Sequence, residues 1–432
     1  MLKKFFAIIA ILFLVNVASA QAAEKAIRNA QCEMRNDYEM TGVVVLSRHN
    51  IRAPLVDKNS AISKVTPHKW IKWTSAPSEL SLRGGEEETI MGQYFRRWLV
   101  SENLITENYL PAEGEVRFYA NSRQRTVATA QFFSSGMFPV ANVRIERKYP
   151  SLDKRDPVFK PKLTLVNDEY VALATAQIKA LYGDKTPKDS YRLLEKVLDF
   201  KDSEIAKSES LKNFRDEDFE VIFKLGDEPV TTGTLKIANQ ATDALSLQYY
   251  EEENPVKATF GHKLSFKDWQ KLSAIKDFYN DVLFTAPLVA VNIAHPLLQV
   301  MNDELSLDRK FTFLCGHDSN IASILAALEV EDYLLPQTIE RKTPIGVKFV
   351  IEKWRGADGV DYAKTKLIYA STEQLRNKTT LTLDNPPMIY PIKFKGLTQN
   401  ADGFYRLEDL QQRFQQAIDV YNNLPQTESK AA

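Results

Sequence analysis

Short apolar runs and helical-period stripes alternate along the chain. Gly42-Val43-Val44-Val45-Leu46-Ser47 and Phe311-Thr312-Phe313-Leu314-Cys315 are nearly continuous apolar runs, the pattern of strands buried on both faces of a sheet. Val116-Arg117-Phe118-Tyr119-Ala120 is a third candidate strand. Helical patterns follow. From Glu86 to Val100, the residues Ile90, Met91, Tyr94, Phe95, Trp98 and Leu99 recur at helical spacing, with Glu86, Glu87 and Glu88 expected in the first turn, where the helix dipole favours anions. Thr126 to Phe133 continues from the third strand, and Ser319 to Leu328 from the second, with Ser319 a candidate cap. Repeated strand–turn–helix predicts an α/β fold, a mostly parallel doubly wound sheet flanked by helices.

The middle of the chain changes character. From about Asp168 to Tyr279 it is charge-rich and helical, with no central strand, which reads as a smaller helical cap domain inserted into the sheet domain. After Pro344 strand patterns return, and Leu407 to Tyr421 suits a closing helix. The expected organisation is a signal segment over 1–20, an α/β domain from 21–150 and 285–432, and a cap over 151–284.

The signal reading rests on Lys3 and Lys4, an apolar stretch from Phe5 to Val17, and Ala18-Ser19-Ala20 as a small-x-small cleavage site. The stretch of about 13 residues is short of the ~20 that a membrane span needs. Export to a bacterial periplasm is therefore expected, with no membrane attachment after cleavage.

Composition narrows the function classes. Among 432 residues, 44% are hydrophobic and 26% charged, enough apolar content for a packed core. The 56 basic and 56 acidic residues cancel, which argues against a nucleic-acid partner. Two cysteines cannot build a disulfide scaffold. Cys32 and Cys315 either pair in an oxidising compartment or remain separate thiols, Cys315 as a buried hydrophobe. No H-E-x-x-H, C-x-x-C or P-loop pattern occurs, so neither a metal nor another cofactor is expected.

Chemistry-bearing residues gather just past the candidate strands. Arg48-His49-Asn50-Ile51-Arg52-Ala53-Pro54 follows the first, Gly316-His317-Asp318 the second, and Asn121-Ser122-Arg123-Gln124-Arg125-Thr126 the third. Ligands of open α/β sheets bind outside the carboxyl ends of strands. Guanidinium forks match phosphate oxygens, and a histidine among them can attack phosphorus. Each piece has an ordinary alternative: a strand-end histidine can be structural, an arginine pair solvated, and Asp318 a helix-entry acid. Two of five histidines at matching strand ends favour the functional reading.

At these residues the chain resembles the histidine acid phosphatases. Their R-H-G-x-R-x-P pattern is matched by Arg48-His49-Asn50-Ile51-Arg52-Ala53-Pro54, and their distal His-Asp pair by His317-Asp318. The resemblance covers nearly the whole mature chain and is nearest to the glucose-1-phosphatase-like members, which share Asn50 in place of glycine. It implies His49 as nucleophile, Asp318 as general acid, Arg48, Arg52 and Arg125 with His317 as the phosphoryl cradle, and no metal. Arg125 is chosen over Arg123 because it fills the family's Q-R-T element. The implied substrate is a small-molecule phosphate monoester such as glucose 1-phosphate. Glu228, in the cap, resembles an acidic residue facing the sugar side, or is an ordinary exposed acid. A phytase-like enzyme for inositol polyphosphates and a non-catalytic phosphate-ester binding protein are the alternatives. His68, His262 and His295 are left without a role, and the sequence does not speak to oligomeric state.

Overall fold

The computed structural model describes residues 37–54, 60–183, 185–208, 210–215 and 219–424. The signal segment and Cys32 lie outside them. In chain order the principal elements are β1 (Tyr38–Arg48), α1 (Leu82–Ser101), β2 (Val116–Ala120), α2 (Gln124–Met137), β3 (Ile145–Glu146), α3 (Asp168–Tyr182), α4 (Lys188–Val197) and α5 (Leu235–Glu251). They continue with α6 (Phe266–Phe284), α7 (Pro287–Ser306), β4 (Phe311–Gly316), α8 (Asp318–Ala327), β5 (Lys348–Gly356), β6 (Asp361–Tyr369), β7 (Met388–Pro391), β8 (Tyr405–Arg406) and α9 (Leu407–Asn422).

The α/β fold is the expected one, with a parallel core. The sheet runs β8-β6-β5-β1-β4-β2-β3, with β7 also on β6. β1, β4, β2 and β3 pair in parallel. On the other side of β1 the sheet is extended by antiparallel strands, beginning with β5 and β6. These two form a hairpin turned at Gly359, φ +76°. A tight hairpin can only join antiparallel neighbours, which is why the strand pattern after Pro344 adds an antiparallel wing. All six residues of β4 are buried, as its unbroken apolar run requires. Among the described residues, 168–284 give the main sheet no strand; Val221–Ile222 and Val230–Thr231 form a separate two-stranded ladder there. Among the described residues no single helix is long and apolar enough to cross a membrane.

Two helix starts differ from expectation. α1 begins four residues before Glu86, because the Ser81 hydroxyl accepts from the Gly84 amide at 3.1 Å and caps it. Glu86, Glu87 and Glu88 therefore lie beyond the first turn, and Glu88 is wholly buried. α8 starts at Asp318 with His317 at its N-cap, so Ser319 lies inside the helix. The Asn320 side chain reaches back to the His317 amide at 2.9 Å and makes the capping contact.

α1 and α2 cross at glycine. A Cβ on Gly92 would lie 2.2 Å from the Phe133 carbonyl oxygen, and one on Gly136 would lie 2.2 Å from that of Thr89. Backbone cannot yield as a flexible side chain can. Alanine's helix propensity would favour Gly92→Ala by about 1 kcal/mol, but overpacking costs about 1–3 kcal/mol. Gly92→Ala should therefore lower stability in urea denaturation; a net gain would show that the helices can part freely.

Candidate active site

Parallel register builds the site. Arg48 of β1 pairs with Gly316 of β4, and Ala120 of β2 pairs with Cys315. The next residues, His49, His317 and Asn121, therefore emerge together at the carboxyl edge. The His49 amide donates to the Gly316 carbonyl at 3.0 Å, and the Asn121 amide to that of Cys315 at 3.0 Å. The two imidazoles meet edge to face, with centroids 5.4 Å apart.

His49 is buried, and its Nδ1 lies 2.9 Å from the Asn50 carbonyl oxygen. A carbonyl only accepts, so Nδ1 carries the proton and Nε2 keeps its lone pair. Burial first, then Arg125, Arg52 and Arg48, push the His49 pKa well below its ordinary value. The ring is a neutral nucleophile surrounded by cations. Asn50 uses its side chain as well. Nδ2 donates to Glu88 Oε1 at 2.8 Å, and Oδ1 accepts from the Ile51 amide at 2.7 Å. Glu88 and Lys348 form an ion pair at 3.1 Å with both side chains wholly buried. The histidine loop is thereby tied into the core.

The arginines are held in three different ways. Arg48 donates to Glu340 Oε1 at 2.9 Å and to the Thr343 carbonyl, and its Nη2 lies 3.6 Å from Asp318 Oδ2. Arg52 Nη2 pairs with Asp243 Oδ2 at 2.8 Å. Arg125 Nη1 donates to the hydroxyl of Ser78 at 2.9 Å, a neutral partner whose own backbone sits at φ +72°. Burial, followed by Arg52, Arg123 and Arg155, pushes the Arg125 pKa well below the ordinary range. The guanidinium remains charged, so the direction measures how poorly the protein compensates that cation. The Nε atoms of Arg48, Arg52 and Arg125 are buried without an acceptor among the described residues. The poorly compensated guanidinium of Arg125 is suited to neutralisation by an anion.

Sequence reasoning missed Lys276, Asp243 and Glu340. Lys276 Nζ, on α6, lies 2.5 Å from Asp243 Oδ1, 3.1 Å from Glu340 Oε1 and 3.4 Å from Asp318 Oδ2. One signal was present: Lys276 lies on the buried stripe with Trp269, Leu272 and Ile275. Nothing in the spacing marks Asp243 or Glu340. Asp318, at the mouth, is 26% exposed. Burial raises its pKa, but Arg48, Lys276, His317 and Arg52 win and hold it well below the usual carboxylate range.

Of the remaining candidates, Glu228 is ion-paired with Arg155, another residue the sequence did not single out. Arg155 acts electrostatically on both Arg125 and His317, which brings Glu228 to the rim through its partner. Arg123 occupies the α2 N-cap and donates to the Asp153 carbonyl. His68 and His262 both meet Asp199, at 2.6 and 3.1 Å, and His295 stacks on Tyr421. Cys315 is buried in β4.

Comparison with known proteins identifies the family. A sequence model of the histidine phosphatase superfamily (branch 2) matches residues 39–373. The glucose-1-phosphatase of Providencia rettgeri is 36% identical over 90% of this chain and 94% of its own length. That of Salmonella typhimurium is 37% identical over 86% of this chain and 91% of its own. The apo structure of Hafnia alvei phytase superposes with a TM-score of 0.81 at 24% identity, covering 90% of this chain and 99% of that one.

The partly exposed carboxylates Asp243 and Asp318 set an acid limit on stability. Attraction to cations, outweighing burial, depresses Asp243 and Asp318 in the folded state. Their contribution is complete above the unfolded aspartate value of about 3.9 and is lost as pH falls through the folded values. Asp243→Asn deprives Arg52 and Lys276 of a counter-charge and should cost about 3 kcal/mol at neutral pH. In urea denaturation the difference from wild type should shrink below about pH 4. A difference independent of pH would contradict the assignment.

Proposed function

The chain belongs to the histidine phosphatase superfamily (branch 2) and is a phosphoric monoester hydrolase, and we propose that it is an exported acid phosphatase acting on hexose phosphates such as glucose 1-phosphate through a phosphohistidine. The observation that carries the mechanism is His49: its Nδ1 donates to the Asn50 carbonyl, and burial and three guanidiniums keep the ring neutral. The substrate class is supported by the two glucose-1-phosphatase relatives. Export is supported by the Lys3-Lys4 start, the apolar stretch and Ala18-Ser19-Ala20.

In this reading Arg48, Arg52, Arg125 and His317 receive the phosphoryl oxygens and stabilise the charge of transfer. His49 Nε2 forms a bond to phosphorus as the ester P–O bond breaks, and Asp318 gives its proton to the leaving oxygen. Water then attacks phosphorus, the P–N bond breaks, and Asp318 takes the proton back. The products are alcohol and phosphate. Asp318 is held ionised by Arg48 and Lys276. The charge of a bound phosphoryl group opposes that, so substrate binding and acid pH together protonate it. Segment 151–284 acts as the cap, and Glu228 at its rim neutralises Arg155 and accepts from sugar hydroxyls. The same neutralisation disfavours inositol polyphosphates, which need extra cations.

The purified protein is to be assayed with glucose 1-phosphate, phytate and p-nitrophenyl phosphate, with and without chelator. Turnover of glucose 1-phosphate should exceed that of phytate and be insensitive to chelator. His49→Ala should lower kcat about a thousandfold or more; undiminished turnover would reject the mechanism, and saturable binding without turnover in wild type would favour a binding protein. Because burial and the three guanidiniums hold the His49 pKa well below the ordinary imidazole value of about 6.5, kcat/KM should persist as pH falls through that value. Loss of activity at that ordinary value would mean that the ring is charging. Glu228→Ala should lower kcat/KM for glucose 1-phosphate about tenfold, the worth of a hydrogen bond to a charged group, and leave p-nitrophenyl phosphate nearly unchanged. Equal effects on the two substrates would remove Glu228 from sugar recognition.

A further inference from the structure

Asn121 is wholly buried at the end of β2, with its side chain between two partners. The Asp156 amide lies 2.8 Å from Asn121 Oδ1, and Asn121 Nδ2 lies 2.7 Å from His317 Nε2. A backbone amide only donates, so the oxygen of Asn121 must face Asp156 and its NH2 must face His317. Reversing the side chain would press two donors together at 2.8 Å. Asp156 is itself fixed: its Oδ2 accepts from the Tyr119 hydroxyl at 2.5 Å, and its Oδ1 from the Val158 amide at 3.0 Å. The Asn121 backbone is anchored too, its carbonyl accepting from the Thr126 hydroxyl at 2.6 Å.

The consequence falls on His317. An NH2 donor at 2.7 Å requires the lone pair at Nε2, which places the proton of the neutral ring on Nδ1. That nitrogen lies 3.5 Å from Arg125 Nη2. The contact is at the outer limit of a hydrogen bond, whereas the one to Asn121 is short, so Asn121 decides the tautomer. Nδ1–H and Arg125 Nη2 are then two donors 3.5 Å apart, a spacing that one oxyanion can bridge.

We propose that Asn121 is a positioning residue that fixes His317 as a neutral Nδ1–H donor, so that the two site histidines present opposite functions, a lone pair from His49 and an N–H from His317. The proposal rests on the reading that a phosphoryl group binds here. The charged and titratable groups around the ring are Arg125 from α2, Arg155 from the segment after β3, His49 from the end of β1, and Asp318 on its own helix. Burial, followed by Arg125, His49 and Arg155, opposes the imidazolium; Asp318 favours it. An amide at position 121 adds no charge to this balance, whereas a carboxylate there would accept a hydrogen bond from Nε2–H and favour the cation.

The test uses full-length protein with 15N-labelled histidine, in which only five rings report. The His317 signal, identified by its loss in His317→Gln, should show the Nδ1–H tautomer from about pH 5 to pH 8 without an imidazolium form, a window spanning the ordinary histidine titration. An Nε2–H tautomer or a charged ring would overturn the proposal. In Asn121→Asp the ring should gain a proton on Nε2 and charge in acid. Sulfate, whose charge is constant over this range, should then bind roughly tenfold more tightly at pH 5 than at pH 8 relative to wild type by calorimetry, the equivalent of about one pKa unit. A folded Asn121→Asp with unchanged ring signals and sulfate binding would also overturn it. Should the variant fail to fold, the wild-type ring signal still decides. Neither readout needs turnover, so an inactive protein with the Nδ1–H ring would sink the proposed function and leave this assignment standing.

Discussion

Everything at the carboxyl edge depends on holding several cations close together out of water. Arg48, Arg52, Arg125 and Lys276 converge there, and like charges in such a place repel strongly. Three carboxylates make it tolerable. Asp243 comes from α5, Asp318 from the start of α8, and Glu340 from the loop before β5. They come from different elements, so the site exists only when the sheet and helices α5, α6 and α8 have assembled. Lys276, in contact with all three acids, is the point where these parts meet.

The compensation is uneven, and the unevenness has chemical use. Arg48 and Arg52 have carboxylate partners, whereas Arg125 leans on the neutral Ser78. The unbalanced positive field therefore points from α2 towards the two histidines. It suppresses protonation of both rings, which burial already disfavours. Asp318 is held ionised by other cations, Arg48 and Lys276 foremost, against the burial that would otherwise keep it protonated. In the proposed mechanism, a phosphoryl dianion entering this field relieves the repulsion and returns Asp318 towards its protonated form. Binding and readiness for proton transfer are thus one electrostatic event.

The loop that carries His49 is restrained from the opposite side. Asn50 stands where the family pattern has glycine, and its side chain connects the loop to the buried Glu88–Lys348 pair. A glycine would leave the same backbone without that tether. The isolated pair would be costly to desolvate, yet Lys348 also donates to the Gly346 carbonyl at 2.9 Å. A one-residue departure in the motif thereby becomes part of a network that spans β1, α1 and β5.

Much of this was legible in the chain itself. The continuous apolar runs of β1 and β4 suit strands buried on both faces, and Arg48-His49, His317-Asp318 and Arg125 follow those runs and the third candidate strand, so local order pointed to one rim. The start of α1 was misjudged because a charged first turn is a weak signal beside a serine cap. Asp243, Glu340 and Arg155 look like ordinary polar residues in their own segments, Lys276 is marked only by its place on a buried stripe, and Asn121 lies in a strand-end stretch that gives its side chain no role. The sequence by itself determined the strand–turn–helix order, the residues that bear the chemistry and the family resemblance, since these are local patterns. Only the tertiary structure decided the antiparallel wing, the carboxylates that make the cations tolerable and the hydrogen bonds that orient both histidines. Those depend on distances between residues far apart in the chain, and on which side chains lose contact with water when the parts come together.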